Sequence, residues 1–246
     1  MDEEAGCALG RIEQLLRYVY WKSGSRGYVI GVSGGIDSAV AATMCCRAVG
    51  PERVLGLIMP SGVSEPSDIS DAGEVCQRLS MDFRTISIEP VLSAYRSVPG
   101  FQDDRTLLGN LMARTRMAIL YYHANRLGML VCGTSNRTEY MIGYCTKWGD
   151  NAADVQPILH LYKTEVYELA ATMENIPERV LRKVPSAGLW KGQSDEAEIG
   201  LSYPEIDAAL KSLEQNGWTS QNPVEDRVLS MVRASEHKRR PAPSLL

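Results

Sequence analysis

Apolar and polar positions alternate between two rhythms along this chain. Leu9, Ile12, Leu15, Leu16 and Val19 recur at helical spacing within residues 3–22. Tyr28 to Val32 is then a short apolar run rich in β-branched residues, and reads as a buried strand. A helix-like run from Ile36 to Val49 follows, then a second strand from Arg53 to Pro60. The pattern continues with a helix over 68–80, a strand over 83–88, a short helix over 89–96, a long helix over 106–127 and a fourth strand over 129–133. Residues 143–156 are irregular, and Pro157-Ile158-Leu159 is expected to be a short fifth strand. Helices are expected over 163–174, 203–214 and 223–237, with 185–200 as a mobile lid rich in Gly, Ser and charge. Strands alternating with helices predict an α/β fold: a doubly wound, mostly parallel five-stranded sheet with helices on both faces. Ligands in such folds bind beyond the carboxyl ends of the strands. The loops after Val32, Met59 and Val131 all fall at that edge.

Composition narrows the class little. The 246 residues suffice for one α/β domain, and 44% hydrophobic with 23% charged residues is ordinary for a globular protein. A net charge of −4 gives no broad basic surface for nucleic acid. The six cysteines contain no Cys-x-x-Cys pair and read as reduced, buried thiols of a cytoplasmic protein. No apolar signal core opens the chain, and no apolar run approaches a membrane span.

The chemistry concentrates at Ser33-Gly34-Gly35-Ile36-Asp37-Ser38, where the first strand turns straight into a helix. The first N–H groups of a helix have no partner, and with the helix dipole they form an anion site. Paired glycines permit positive φ and a close ligand. Asp37 adds negative charge there, which a divalent cation bridging to phosphate oxygens resolves. No Gly-Lys-Ser/Thr follows, so this is not a Walker loop. Ser-Gly-Gly-x-Asp-Ser resembles the pyrophosphate-binding loop of ATP pyrophosphatases, which cut ATP to AMP and pyrophosphate.

Cys132 to Glu139 repeats the strand-to-helix logic. Thr134 offers a hydroxyl to a nucleotide and Glu139 a second metal ligand opposite Asp37, although Asn136 with Glu139 also reads as a helix-capping box. Lys147-Trp148-Gly149-Asp150-Asn151-Ala152-Ala153-Asp154 places a cation and two carboxylates in one loop. Plotted at 100° per residue, Leu107, Leu108, Leu111, Met112, Ala118, Ile119 and Tyr122 form one apolar arc, with Arg114 at its edge and Arg116 on the opposite side. An arginine flanking a buried stripe needs an anionic partner. Met117 and Leu120, outside the arc, suggest a second buried face and hence a dimer contact.

Taken in order, Ser-Gly-Gly-x-Asp-Ser, Ala-Arg-Thr-Arg-Met, Gly-Thr-Ser-Asn-x-x-Glu, Thr-Lys-x-Gly-Asp-x-x-Ala-Asp and a C-terminal His-Lys-Arg resemble the NAD+ synthetases, over about residues 10 to 240. The resemblance implies an adenine nucleotide alpha hydrolase-like fold and a two-step ligation. Deamido-NAD+ is adenylated by ATP on its carboxylate, and ammonia then displaces AMP to give NAD+. The resemblance also implies an ATP site at Gly31, Val32, Ser33, Gly34, Gly35, Ile36, Asp37, Ser38, Thr134, Lys163 and Ser186, of which Asp37, Lys163 and Ser186 serve catalysis. It implies magnesium on Asp37 and Glu139, and the dinucleotide on Arg114, Lys147, Asp154, His237 and Lys238 of a homodimer. The chain is expected to be a single synthetase domain over 1–246, without a glutaminase domain and with free ammonia as donor. It departs from the family at Asn151 and Ala152, where two glycines are common, which stiffens that loop. Two other readings stay open: another ATP pyrophosphatase-loop ligase, GMP-synthetase-like or tRNA-thiolating, and a non-catalytic dinucleotide-binding module.

Overall fold

The computed structural model describes residues 3–245, with side chains from Leu9 onward. Cys7, read above as a buried thiol, therefore has its side chain outside the described range. Helix α1 (Glu3–Ser23) leads into strand β1 (Tyr28–Gly31), and the glycine corner opens helix α2 (Ile36–Val49). Strand β2 (Val54–Ile58), helix α3 (Pro66–Arg78), strand β3 (Asp82–Thr85), helix α4 (Glu89–Arg96), helix α5 (Arg105–Leu127) and strand β4 (Leu130–Cys132) follow. The four strands run parallel in the order β3-β2-β1-β4.

The period-2 alternation divides the core between the two faces of the sheet. Tyr28, Ile30, Val54 and Ile58 pack with α1, α2 and α3 on one side. Val29, Leu55, Leu57 and Val131 pack with α4 and α5 on the other. Strand β3 is exposed along its length and forms an edge. After β4 the chain is helical: α6 (Arg137–Ile142), α7 (Lys163–Ala171), α8 (Glu178–Leu181), α9 (Asp195–Ile199), α10 (Tyr203–Gln215), α11 (Pro223–Ala234) and α12 (Glu236–Arg239). Helix α7 joins the α2 face, whereas α10 and α11 build a separate cluster around Ile206, Leu210 and Val228.

The expected fifth strand is absent among the described residues. In its place a single parallel bridge joins Cys132 to Val155. The Asp154 carboxylate accepts the Val131 N–H at 2.7 Å, and Pro157 has no N–H with which to continue a ladder. Ile158 is still fully buried, but as a loop residue. The expected helix over 223–237 breaks at Ser235, whose hydroxyl turns back to the Met231 carbonyl at 2.7 Å.

The arc drawn on α5 is also revised. Leu107 and Tyr122 are 53% and 66% exposed, and Ala118 is exposed with them. Met117 and Leu120, taken as a dimer face, instead border an open cavity with Arg116. A helix with apolar residues around most of its girth gives periodicity little to discriminate.

Candidate active site

The glycine corner holds its shape through its own hydroxyls. Ser38 is buried; its Oγ accepts the Ser33 N–H at 3.2 Å and donates to the Gly35 carbonyl at 2.9 Å. Ser33 Oγ accepts the Gly35 N–H at 3.3 Å. The serines thus shape the turn as well as lining the cavity. Gly34 has φ +80°, and a Cβ there would lie 2.4 Å from the Asp68 carbonyl, so the position admits glycine. The Gly34 carbonyl is turned outward to Lys183 Nζ at 3.2 Å, an ammonium that also pairs with Asp68 and Asp71. Lys183 thereby anchors the back of the turn.

Opposite the corner lies a buried charge cluster. Lys163, the first residue of α7, is almost wholly buried, with Nζ 2.5 Å from Asp37 and 3.1 Å from Glu139. Burial opposes its charge, but Asp37 and Glu139 outweigh that and hold the ammonium above its ordinary pKa. Burial, with the negative charges of Asp37 and Asp195, pushes Glu139 up to about 7 despite Lys163. Asn136 makes only its own half of the expected capping box, since the Glu139 carboxylate turns to Lys163. Its Oδ1 caps α6 by accepting the Glu139 N–H at 3.0 Å, while Nδ2 donates to Asp37 at 2.9 Å.

Corner and cluster open into one cavity of about 620 Å³. Gly31, Val32, Ser33, Gly35, Ile36, Asp37, Ser38, Thr134, Glu139, Lys163, Ser186 and Lys238 border it, so the expected nucleotide and metal residues converge, with Gly34 at the back of the turn. Ser186 lies on the segment expected to be a lid, which is ordered over the cavity by Asp195. The Asp195 carboxylate accepts from the Ala187 N–H at 2.9 Å and from the hydroxyls of Tyr203 and Tyr144 at 2.9 and 3.1 Å.

Arg114, Lys147, Asp154 and His237 do not border the cavity. Arg114 Nε and Nη2 donate to the Lys147 carbonyl at 3.3 and 3.2 Å, and Lys147 Nζ donates to the His237 carbonyl. Lys238 spends its ammonium on the carbonyls of Gly143 and Cys145 at 2.8 and 2.7 Å. Asn151, at the departure from the family loop, accepts the Trp148 N–H at 3.0 Å and reaches the Lys238 carbonyl at 3.4 Å. These bonds tie the loop to the C-terminal basic cluster.

A family model described as NAD synthase matches residues 8–242. The chain is 62% identical to the NH(3)-dependent NAD(+) synthetase of Methanoregula boonei, over 100% of this chain and 99% of that one. The chain belongs to the NAD synthase family. It is 48% identical to the corresponding enzyme of Thermococcus kodakarensis, over 95% and 94% of the two chains. Among solved structures, the NMN synthetase of Francisella tularensis aligns with a TM-score of 0.89 at 36% identity over 99% of both chains. The NH3-dependent NAD synthetase of Campylobacter jejuni aligns with a TM-score of 0.83 at 32% identity over the whole of both.

The cluster fits the divalent cation that such a ligase implies. Asp37 and Glu139 converge on one ammonium, and Asp195 adds a third buried carboxylate nearby. Two hard oxygen donors plus substrate phosphates suit magnesium, which seldom relies on protein ligands alone. Among the described residues no group of three His, Cys, Asp or Glu side chains is set to cage a metal by itself. The sequence reading missed Arg116, Lys183, Asp195 and Tyr203, which face the site from four separate elements or loops. The Ala-Arg-Thr-Arg-Met segment held the signal for Arg116, but the apolar arc pointed to its neighbour.

Proposed function

We propose that the chain is an ammonia-dependent NAD+ synthetase: it amidates deamido-NAD+ at the expense of ATP through an acyl-adenylate, releasing AMP and pyrophosphate. The observation that carries this reading is the buried Lys163, held between Asp37 and Glu139 beside free helix N–H groups in one cavity. A carboxylate is a poor electrophile, and adenylation gives its carbon AMP as leaving group. In the first step a carboxylate oxygen attacks the α-phosphorus, and the bond to the bridging oxygen of pyrophosphate breaks. The corner N–H groups and Lys163 stabilise the charge that develops on pyrophosphate. Magnesium on Asp37 and Glu139 supplies further positive charge there when bound. In the second step ammonia adds to the acyl carbon, loses a proton and expels AMP. Thr134 and Ser186 bind the nucleotide, and Arg114, Lys147, Asp154, His237 and Lys238 hold the acceptor from the neighbouring loop group.

A homodimer is part of this reading. Leu107, Ala118 and Tyr122 on α5, with Trp148 at 56% exposure, form the apolar surface that a second copy covers. So is a cytoplasmic location, supported by free, buried Cys45, Cys46, Cys76 and Cys132. Among the described residues no helix is long and apolar enough to cross a membrane.

The likeness to an NMN synthetase favours a second acceptor of the same chemistry, nicotinate mononucleotide. One assay separates the readings. The protein is incubated with ATP, magnesium, ammonium and either acceptor, and NAD+ or NMN is followed with AMP. Stoichiometric NAD+ and AMP is the expected result, with kcat/KM higher for deamido-NAD+. The reverse preference selects the mononucleotide, and AMP without amidated product refutes both.

A further inference from the structure

Arg116 is a half-buried cation at the cavity that the proposed reaction leaves without a task. It projects from α5 beside Met117 and Leu120, and its Nε donates to the Met59 carbonyl, just beyond β2, at 3.0 Å. Nη1 and Nη2 have no hydrogen-bond partner among the described residues and remain accessible from the cavity, and the side chain makes no ion pair there. Burial pulls the guanidinium below its ordinary pKa. Asp150 borders the same cavity and its charge favours the guanidinium without an ion pair between them; Lys238 bears on Asp150 in turn. A guanidinium that lines a cavity with both terminal nitrogens unpaired is set to receive an anionic ligand.

The position and the accounting of charge identify that ligand. The metal pair Asp37 and Glu139 lies on the β4 side of the glycine corner, since Glu139 and its cap Asn136 follow β4. Arg116 lies on the other side of the corner, over the end of β2. In the proposed reaction the ATP phosphates already face Lys163 and the corner N–H groups. The proposed reaction assigns the rest of the acceptor to Arg114, Lys147, His237 and Lys238, which gather in the loop group outside the cavity except for Lys238 at its border. The nicotinate carboxylate is the remaining anion, and it has no cation. We propose that Arg116 receives this carboxylate through its two terminal nitrogens and so discriminates the acid substrate from the amide product. This rests on the ligase reading above and adds the residue that recognises the reacting group. A guanidinium fork fixes both carboxylate oxygens in one plane. That orients one of them for attack on the α-phosphorus. Once the carboxylate becomes an amide the charge is gone, and the same contact weakens, which favours release of product.

The test is calorimetric titration of the full chain, without ATP, by deamido-NAD+ and by NAD+, and by nicotinate and nicotinamide mononucleotides. Wild-type protein is expected to bind the acid of each pair at least tenfold more tightly than the amide. Arg116→Gln is expected to lose tenfold or more in affinity for the acid and less than twofold for the amide. Arg116→Lys, which keeps the charge, is expected to recover part of the difference, and stands in if the Gln variant fails to fold. Equal losses for acid and amide, or no loss for either, would overturn the assignment while leaving the ligase reading intact. Wild-type protein that binds none of the four would overturn the ligase reading itself.

Discussion

Replacing Glu139 by glutamine is expected to make the ligand-free protein more stable and the enzyme inactive. Burial and the charges of Asp37 and Asp195 raise Glu139 from 4.5 to about 7, even with Lys163 beside it. A folded-state pKa above the unfolded one means that the group's contribution to stability is complete below the unfolded value. It is then lost as pH rises through about 7. At about 1.4 kcal/mol per pH unit the full shift corresponds to roughly 3 kcal/mol. The side chain is 19% exposed, so water screens part of the field; about 2 kcal/mol is the working figure. For a chain of this size that is roughly 4–8 °C in melting temperature. Glutamine keeps the shape without the charge, and Lys163 retains Asp37 as partner. Thermal unfolding without nucleotide or magnesium, followed from about pH 5 to about pH 8.5, reads the effect directly. The variant should melt with wild type at the acid end and clearly above it at the alkaline end, while forming no NAD+. A variant that melts lower at alkaline pH, or a gap that ignores pH, would refute the reasoning. The expected outcome also says why the acid is retained: a buried carboxylate that weakens the empty protein is kept for the cation it meets.

Two further outcomes are expected. Lys183→Met frees the Gly34 carbonyl from its ammonium and leaves Asp68 and Asp71 unpaired by Lys183, so KM for ATP should rise about tenfold or more with a smaller change in kcat. Steady-state kinetics at varied ATP checks it, and an unchanged KM removes the residue from the corner's support. Tyr122→Glu places charge in the exposed apolar row of α5; if the proposed dimer forms through that row, sedimentation velocity should show a dimeric wild type and a variant weakened tenfold or more in self-affinity, whereas a monomeric wild type or an unchanged variant refutes the proposed interface.

Local signals carried well from sequence to structure. The corner at Ser33–Ser38 was legible because what shapes its turn is mostly short-range, a strand, two glycines, two hydroxyls and a helix start, whereas its distant supports, Asp68 and Lys183 behind Gly34, were not legible. Glu139 and Lys163 were legible only through the order of motifs, since 24 residues separate the atoms that meet at 3.1 Å. Long-range substitutions for backbone pairing were not legible. The fifth strand failed because a side chain, Asp154, took the donor that a ladder would have used. The ordering of the lid failed to show for the same reason: Asp195 is held by Tyr144, 51 residues away. On α5 the pattern misled outright, since exposed Leu107 and Tyr122 look like core and cavity-facing Arg116 looks like surface. Residues kept for a partner or a ligand break the rule that apolar means inside.

The sheet's free border sets a limit on how copies of this chain can meet. Strand β3 offers four exposed residues, Asp82-Phe83-Arg84-Thr85, and two of them, Asp82 and Arg84, carry opposite charges. A brief, charged border is a poor template for another strand. Growth of the sheet from one molecule into the next is thereby discouraged, which leaves the proposed self-association to helical surfaces, where a finite assembly leaves the cavity at the strand ends undisturbed.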